Sequence, residues 1–321
     1  MPITTISGFQ ITLANVATHW ARVDDDLAPA VLELKGGYTL SKLTTDQTAI
    51  ATLIQKVDSS VLILATLASK RDQLKEKLRP KLTQFRGAVK SALDGTPYAS
   101  TLPTLPLTTA DMAGTLKPFT EMETLWERID DSDNTDGIAG GLRLAKGYDL
   151  VAFKVDLAAL QSIYKQISLL EQSLAVDRRT RDTLRQEIVT RLRQYKNAII
   201  ARYDADHPLL VTVPNLYPTG GTTPSAVTLS GAWSTDHTCA QLAWTASEND
   251  QLDHYSIRAA PLPTYSTRNE AVVAMVSPGS LTWHGDLGLT EAGEGMVVKV
   301  YVVTKTGNEK GSNVVKVVRG A

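Results

Sequence analysis

The amino-acid sequence predicts a multidomain α plus β protein, in which an elongated antiparallel helical bundle is followed by a β-sandwich. Three observations lead to this fold class. The first two thirds of the chain contain an internal repeat, both copies carry apolar residues at helical spacing, and the last third changes to short alternating segments. We expect a helical domain over residues 1–206, a linker over 207–223 and a sandwich over 224–321.

Length and composition indicate a folded, water-soluble protein of two domains. The chain has 321 residues, of which 43% are hydrophobic and 21% are charged, and these proportions are typical of globular domains. The single cysteine, Cys239, excludes intrachain disulfides and a cysteine-rich metal site within one chain. Because the formal net charge is only -1, an electrostatic partner would have to recognise local charge segregation.

Neither a signal peptide nor a membrane span is expected from the sequence. Residues 1–10 lack a basic segment followed by an apolar one. The longest nearly continuous apolar run covers residues 61–68, which is far shorter than the roughly 18 residues of a membrane-spanning helix. The sequence therefore predicts a cytoplasmic protein without a membrane span.

The internal repeat aligns residues 32–94 with residues 142–204 without a gap, at an offset of 110 residues. Further upstream, a Trp-x-Arg-x-Asp-Asp pattern occurs once in each copy. We therefore predict a tandem duplication, with repeat 1 over about 2–94 and repeat 2 over about 106–204. The matched pairs include Trp20/Trp126, Leu32/Leu142, Gly37/Gly147, Tyr38/Tyr148, Asp46/Asp156, Arg71/Arg181 and Leu82/Leu192.

Each repeat is predicted to contain three helical pieces, of which the first and third are long. The first covers roughly residues 6–26 and 111–131 and buries its tryptophan on an apolar face. The third has about fifty residues and begins near Thr45 in one copy and Asp156 in the other, where side chains suit an N-cap. Its apolar residues recur at a spacing near 3.5, which is typical of helical bundles. Pro80 leaves open whether the first of these helices is continuous or broken.

The second piece of each repeat is short and is followed by a glycine. Helices near residues 29–35 and 137–146 would place Gly37 and Gly147 after their C-terminal ends, where glycine adopts a positive φ without a steric penalty. The alternative is an extended segment, because the leucines around these glycines also alternate with a period of two. The sequence leaves both structures open.

The segment after the linker contains short β-type patterns in a definite order. These are an opening Pro224, Leu-Ala-Trp at 242–244, Asp-His-Tyr-Ser-Ile at 253–257, and a late strand at 297–303 that runs into a Gly-Asn pair. In this order they resemble a fibronectin type III domain over about 95 residues, which implies a seven-stranded β-sandwich used as a spacer or interaction module. Met296 stands where the family has a tyrosine, so we expect no tyrosine corner.

No catalytic, cofactor-binding or metal-binding residue is predicted. The sequence has no phosphate-binding glycine loop, nucleophile elbow or His-Glu-x-x-His motif. The aspartates at 130, 131, 133 and 136 suggest a calcium loop, but no glutamate stands where an EF-hand needs its bidentate ligand, which favours a solvated insertion. The histidines lack metal-ligand spacing and are expected to have surface or packing roles: His19, His207, His237, His254 and His284.

Charge is segregated along both repeats. The distal half of each long helix is basic, whereas the helices with the tryptophans end in acidic residues. A nucleic-acid groove is disfavoured, because few aromatic residues are interleaved and several acids dilute the positive charge. The basic residues are Lys70, Arg71, Lys75, Lys77, Arg79, Lys81, Arg86 and Lys90, then Arg178, Arg179, Arg181, Arg185, Arg191, Arg193, Lys196 and Arg202; the acidic residues are Asp24, Asp25, Asp26, Glu121, Glu123, Glu127, Asp130 and Asp131.

Together these features predict a non-enzymatic structural protein, a subunit of a cytoplasmic homo-oligomer such as a filament, a tube or a phage-tail-like assembly. Its partner would be a second copy of itself, held by the acidic and basic helix faces, and no small-molecule substrate, metal or cofactor is expected. The first alternative is a surface or secreted adhesin or a helical pore-forming protein. The second is a nucleic-acid-binding protein that uses the duplicated basic helices.

Overall fold

Helices come first and antiparallel strands last, as predicted, in the computed structural model. It describes residues 6–107, 110–131, 138, 140–216, 223–267 and 269–320, except the side chain of Ser7. The helices are α1 (Ile6–Leu27), α2 (Leu40–Ala92), α3 (Pro97–Ser100), α4 (Met112–Asp130), α5 (Leu150–Arg202) and α6 (Pro208–Val211). The strands are β1 (Leu229–Ser234), β2 (Cys239–Trp244), β3 (Leu252–Pro261), β4 (Ala271–Val276), β5 (Thr282–Gly285), β6 (Gly295–Thr304), β7 (Glu309–Gly311) and β8 (Val315–Val318).

The chain forms two compact units whose boundaries fall inside the two long helices. Unit 1 comprises Met1–Thr66 and Glu171–Ala321, and unit 2 comprises Leu67–Leu170. Unit 1 therefore holds α1, α6, all the strands, the first half of α2 and the second half of α5. Unit 2 holds α3, α4 and the remaining halves of α2 and α5. These two units are defined by which residues contact each other in the folded chain. The domain boundary at 207–223 was inferred from the proline and glycine content of the sequence, and it stays a prediction.

The core of unit 1 is built around the apolar face of α1. Phe9, Leu13 and Trp20 recur at helical spacing and are fully buried. The ring of Trp20 stacks on Tyr195 of α5 with a centroid distance of 4.5 Å and lies 6.3 Å from the ring of Tyr38. Aromatic pairs of this kind bury much apolar surface in one place. The second half of α5 thus completes the core around α1.

The core of unit 2 has the same plan around α4. Trp126 is fully buried, and its ring lies 5.3 Å from that of Phe85 on α2 and 5.8 Å from that of Phe153 on α5. Met122 and Ile129, on the same face of α4, are fully buried as well. The distal half of α2 completes this core, just as the distal half of α5 completes the core of unit 1.

Both long helices are continuous in secondary structure. α2 and α5 have 53 residues each, and Pro80 lies inside α2. Proline removes one backbone donor from a helix, but Leu78 and Leu82 on either side of it are fully buried. Their packing holds the helix across the missing hydrogen bond. The break that the sequence left open is therefore absent from both described helices.

The predicted short second helices are wrong, because the chain makes a tight hairpin-like turn instead. In unit 1, Leu34 and Tyr38 form an isolated antiparallel bridge, with Leu34 N–H donating to the Tyr38 carbonyl at 2.8 Å. Gly36 and Gly37 between them have φ values of 81° and 70°. The positive φ predicted for Gly37 is confirmed, but a turn requires it and not the end of a helix. This outcome is close to the extended alternative.

The corresponding segment of unit 2 has the same backbone pattern. Leu144 N–H donates to the Tyr148 carbonyl at 2.8 Å, and a short 3-10 turn covers Ala145–Gly147. Lys146 and Gly147 have φ values of 63° and 71°, so the positive φ predicted for Gly147 is also confirmed. Lys146 occupies the position of a glycine in unit 1 and is held in a conformation that L-residues seldom adopt.

The strands form a β-sandwich of two antiparallel sheets. One sheet has the order β1-β2-β5, and the other has the order β4-β3-β6-β7 with β8 paired to β6. Side chains of both sheets, such as Leu242 and Ile257, share one buried core. Met296 is fully buried in β6, where it pairs with Pro261 and Val317.

Within unit 1 the sandwich packs against the middle of α2. Ala65 of α2 is part of the sandwich core, and Thr66 Oγ1 donates to the Gly288 carbonyl at 3.2 Å. Ala271 at the start of β4 is buried against Val57 and Val61. The edge strand β4 therefore lies beside α2, which covers part of an edge that would otherwise be open to pairing.

Candidate functional site

The basic half of α2 lines an open groove in unit 2, named groove 1, with a volume of about 380 Å³. Arg71, Lys75 and Arg79 line it at intervals of four residues, which places them on one face of the helix. Asp72 and Glu76 line the same groove, so positive and negative charges alternate along it. The opposite wall consists of Pro106, Leu107, Thr115 and Phe119.

The basic half of α5 lines groove 2 in unit 1, with a volume of about 610 Å³. Arg181, Arg185 and Arg193 line it, and the first two lie at the repeat offset from two cations of groove 1. The guanidinium of Arg185 lies over the ring of Phe9 at 5.4 Å from its centroid, and burial lowers its pKa. Gln186 and other polar residues complete the groove, which can therefore hold an anion by charge and by hydrogen bonds.

Each groove contains an arginine paired with the aspartate that follows it in sequence. Arg71 Nε donates to Asp72 Oδ1 at 2.8 Å, and Arg181 Nε donates to Asp182 Oδ1 at 2.9 Å. Both pairs are exposed, so each contributes little to stability. Their main effect is to reduce the positive charge that a passing polyanion would meet. This agrees with the expectation that acids weaken a nucleic-acid site here.

Groove 1 is bordered by the proline-rich segment 101–107, whose carbonyl groups bind one cation of the groove lining, Arg79, and a further cation of α2, Arg86. Arg79 Nη1 donates to the Pro106 carbonyl at 2.9 Å, and Arg86 Nη1 donates to the Pro103 carbonyl. The described lining of groove 2 comes from α5 alone. Groove 2 is therefore the more open of the two cationic surfaces.

Four acidic residues of the tryptophan helices bind within their own unit. Asp24 Oδ1 accepts the Leu32 N–H at 2.8 Å in unit 1, and Asp130 Oδ1 accepts the Leu142 N–H at 2.7 Å in unit 2. These carboxylates fix the start of each hairpin turn. Two further acids bind side chains: Glu127 with Lys154 Nζ at 2.5 Å and Asp26 with Tyr203 Oη at 2.8 Å.

The histidines and aspartates that were considered from the sequence do not form a metal site in the described part of the chain. No group of three His, Cys, Asp or Glu residues is placed there to hold an ion. Asp130 and Asp131 are described, whereas Asp133 and Asp136 lie outside the described residues. His254 Nδ1 lies 2.7 Å from Asp253 Oδ2. The remaining histidines lie apart: His207 at the start of α6, His237 in a turn and His284 in β5.

His19 is the one histidine that joins several elements of unit 1. Its side chain is buried, with Nδ1 2.5 Å from Tyr195 Oη on α5 and Nε2 2.8 Å from the Leu209 carbonyl on α6. Burial lowers its pKa below the ordinary value of 6.5, and the nearby charge of Arg22 acts in the same direction. The histidine thus has a packing role, and it anchors the chain that leads to the sandwich.

A buried ionic cluster in the sandwich was not singled out from the sequence. Arg258 on β3 is buried and donates to Glu270 Oε1 at 2.9 Å and to Glu309 Oε2 at 2.6 Å. Its guanidinium also lies 4.0 Å from the ring centroid of Tyr301. Alternation along β3 places Tyr255 and Ile257 in the sandwich core and Arg258 on the opposite face. Its partners come from distant segments, so the local pattern carried no signal of its burial. The cluster is paired internally and therefore serves packing.

An exposed stripe, named the outer stripe, runs along α5 in unit 2. Val151 and Val155 are 71% and 65% exposed, and Leu169 is 57% exposed. The positions follow the three-four spacing of a coiled-coil seam, although the opposite face of α5 is the one that is buried. The outer stripe consists of Val151, Val155, Ala158, Ser162, Lys165 and Leu169, all exposed.

Among the described helices, one is long and apolar enough to pass a test of length and composition for a membrane span. α2 contains an 18-residue window with a mean hydropathy of 1.5, of which 33% is buried. By length and composition this window could cross a bilayer, although core helices of soluble proteins pass the same test. The absence of a membrane span, expected from the sequence, therefore stays a prediction.

Comparison with known proteins identifies no family for this chain. No family profile and no curated protein matches it. Solved structures that align with part of it include pectate lyase PelI from Erwinia chrysanthemi in complex with tetragalacturonic acid, at 17% identity over 29% of this chain and 28% of that chain, with a TM-score of 0.25. Pectate lyase Pel3 from Pectobacterium carotovorum aligns at 9% identity over 28% of this chain and 26% of that chain, with a TM-score of 0.23.

A third structure is the Fn3-like protein from Clostridium thermocellum, at 19% identity, with a TM-score of 0.24. The alignment covers 30% of this chain, in its C-terminal third, and 93% of the Fn3-like protein. The chain spans less than a third of the pectate lyases that it matches. With TM-scores this low, none of these likenesses bears on activity.

Proposed function

We propose that this chain is a non-enzymatic structural subunit that assembles with copies of itself. The outer stripe of α5 is the observation that carries the proposal. Large apolar side chains at coiled-coil spacing on an exposed helix face favour pairing with another helix. The partner that the proposal names is the same stripe on a second copy, because a surface that meets itself requires no other protein.

The outer stripe of α5 is apolar where the face of α2 at the repeat offset is polar. At the repeat offset of 110 residues, Val151 and Val155 correspond to Ser41 and Thr45. Thr45 Oγ1 donates to the Ser41 carbonyl at 3.0 Å, and the next threonines of this face bond to their own helix in the same way. The polar face is thus satisfied within α2. Of these two matched faces, both within the described residues, the α5 face is the one that presents large apolar groups, as a contact surface would.

The charged faces offer a second contact between copies. Groove 2 is cationic, and Asp25 on α1 and Glu121 on α4 are exposed acids. A pairing between such surfaces would weaken as salt screens the charges. Contact through the outer stripe would instead survive or strengthen in salt, because burial of apolar surface does not depend on screening. Salt dependence therefore separates the two modes of self-association.

Analytical ultracentrifugation combined with negative-stain imaging tests the assembly. We expect the wild-type chain to sediment as a concentration-dependent oligomer, and the double variant Val151→Glu/Val155→Glu to sediment as a monomer because two charges would be buried in the contact. The matched control is Ser41→Glu/Thr45→Glu, which places the same charges at the equivalent positions of α2. It should leave the oligomer unchanged. A wild-type chain that stays monomeric at high concentration would remove the proposal.

We further infer that the two repeats arose by tandem duplication. The duplication is supported by equivalent contacts of the two tryptophans. Trp20 packs on Tyr195 in unit 1, and Trp126 packs on Phe85 in unit 2. Tyr195 and Phe85 are separated by 110 residues, which is the repeat offset. A cation lies over each hairpin tyrosine, again at matched positions: Arg191 over Tyr38 at 5.0 Å, and Lys81 over Tyr148 at 4.4 Å. Each repeat thus gives the distal half of its long helix to the other repeat's core.

We infer that the sandwich is a fibronectin type III-like module. The support is its strand order: one sheet joins the first, second and fifth strands, and the other joins the third, fourth, sixth, seventh and eighth. The seventh and eighth strands pair with successive stretches of the sixth, in the place of one continuous edge strand. The motifs at 242–244 and 253–257 fall on β2 and β3. In an assembling protein such a module would act as a spacer or interaction domain and contribute no chemistry.

A membrane-active protein is the second candidate, favoured by the apolar window of α2. Such a protein would have to unpack α2 from its core before insertion. Dye release from liposomes at neutral and at acidic pH tests it, with the protein added in its folded form. Release in proportion to protein concentration would favour insertion over assembly, and intact liposomes would eliminate this candidate.

A further inference from the structure

A cavity of about 510 Å³ lies in unit 1 between α2 and the edge strand β4. This volume falls in the range of small-molecule sites in proteins. One face of α2 forms the first wall, four consecutive residues of β4, Val272–Met275, form the second, and Ile6 and Gln10 of α1 complete the lining. Ile54 and Leu62 supply apolar surface, and Ala51 and Ala274 leave room between the walls.

Asp58 of α2 is the charged group in the lining of this cavity. Burial raises the pKa of its carboxyl to about 6, although the nearby backbone N–H of Val272 on β4 acts in the opposite direction. No ion pair of Asp58 is found among the described residues. It is therefore a partly buried carboxylate with an incomplete set of partners, and leaving a charge in such a place costs free energy.

The two arginines near Asp58 form ion pairs with other carboxylates. Arg181 on α5 pairs with Asp182 at 2.8 Å, and Arg258 on β3 pairs with two glutamates. Both arginines lower the pKa of Asp58 at a distance, whereas Glu270 raises it. Because each arginine already has a carboxylate partner, neither is available to neutralise Asp58. A cation that enters the cavity would do so.

We propose that this cavity binds a small molecule with an apolar body and a protonated amine, and that the amine pairs with the Asp58 carboxylate. The apolar body would lie between Ile54 and Leu62 on α2 and the valines of β4. An ammonium group has three donors, and the side chains of Gln55 and Ser59 flank Asp58 in the same lining to accept the other two. The proposal does not depend on self-assembly, since all of these residues belong to one chain.

Calorimetric titration with two probes of equal shape tests the charge pairing. Hexan-1-amine carries the proposed cation, and hexan-1-ol replaces it with a neutral hydroxyl. At pH 7.5 we expect one amine to bind per chain, at least about tenfold more tightly than the alcohol, which is the effect of one favourable charge contact. At pH 5 this preference should shrink, because Asp58 takes up a proton as the pH falls below its pKa of about 6.

Two variants and one control identify the site. Asp58→Asn keeps the side-chain shape and should abolish the preference for the amine over the alcohol. Ala51→Leu fills space between the walls of the cavity and should weaken the binding of both probes. Asp25→Asn removes an exposed carboxylate of α1 in the same unit. It should change neither the affinity for the two probes nor the preference for the amine. Thermal unfolding of each variant verifies that it is folded. Absence of saturable amine binding up to about 10 mM, or an unchanged preference in folded Asp58→Asn, would overturn the proposal.

Discussion

Trp20 and Tyr195 stack with ring centroids 4.5 Å apart and an interplanar angle of 24°, although one belongs to the first helix and the other to the distal half of the second long helix. Both are fully buried. The contact joins α1 to the distal half of α5 in one core, although the two residues are far apart in the sequence. The stability of unit 1 therefore depends on this pair.

The replacement Trp20→Ala should lower the free energy of unfolding by roughly 3–5 kcal/mol, because it leaves a large cavity beside Tyr195 and removes the stacked contact. Urea unfolding followed by circular dichroism measures the loss. The control is Trp233→Ala in β1, where the ring is partly exposed and the cost should be much smaller. Equal losses in the two variants would contradict the core described for unit 1.

Lys146 offers a test of the hairpin turns. Its φ of 63° lies in the left-handed region, which costs a non-glycine residue about 1–2 kcal/mol. Lys146→Gly should therefore stabilise the protein by up to about 1 kcal/mol, once the added backbone freedom of the unfolded glycine is subtracted. Differential scanning calorimetry measures the gain as a rise in Tm.

The reverse change, Gly36→Lys, controls for the effect of charge. Gly36 has a φ of 81°, and a Cβ at this position meets no atom within 4 Å. Any loss of stability would thus come from backbone strain and not from a clash, and we expect about 1–2 kcal/mol. If both variants leave the Tm unchanged, the turn is not held in the conformation described.

His19 should make the stability of unit 1 depend on pH. The folded state lowers the pKa of this histidine below 6.5, so the unfolded chain takes up a proton more readily than the folded one. The His19 contribution is therefore fully present above pH 6.5 and is lost as the pH falls below that value. Urea midpoints measured between pH 8 and pH 5 should show the decrease.

The variant His19→Leu removes the titrating group, and leucine is also the residue at the matching position of repeat 2, Leu125. The difference in stability between pH 8 and pH 5 should be smaller in this variant than in the wild type. The part of the pH dependence of stability that comes from other titratable groups would remain. An identical slope in both proteins would show that His19 is not the source of the pH dependence.

Removal of Arg258 should destabilise the sandwich strongly. Arg258→Met roughly keeps the volume but leaves Glu270 and Glu309, whose side chains are 15% and 12% exposed, without their cation. Breaking a largely buried ion pair in this way costs up to about 3–5 kcal/mol. The triple variant Arg258→Met/Glu270→Gln/Glu309→Gln removes both unpaired charges and should recover part of the loss. Thermal unfolding measures each step, and a triple variant as unstable as the single one would contradict the charge-based explanation.

Sequence periodicity located the tryptophan helices and the two long helices, but not every helix end: the long helices were predicted to begin near Thr45 and Asp156 and begin at Leu40 and Leu150. The helix predicted over roughly 6–26 is observed as Ile6–Leu27, and its predicted apolar face, which includes Trp20, is buried. Periodicity succeeds because a helix that buries one face repeats its apolar residues every three to four positions, whatever it packs against. It failed at the hairpin turn after α1, where a bridge and a carboxylate cap by Asp24 outweighed local helix preference.

The sequence by itself determined that Trp20 is buried in a helix and that strands follow helices, because each depends on residues close together in the chain. A positive φ at Gly37 and Gly147 was expected after a short helix, whereas the turn that requires it was found only in the structure. Only the tertiary structure decided that Trp20 meets Tyr195. It also decided that Asp58 faces a cavity beside Val272, because these pairs are more than a hundred residues apart and their contact depends on how whole elements pack. Local spacing records which face of an element is apolar, but it contains no information on which distant element covers that face.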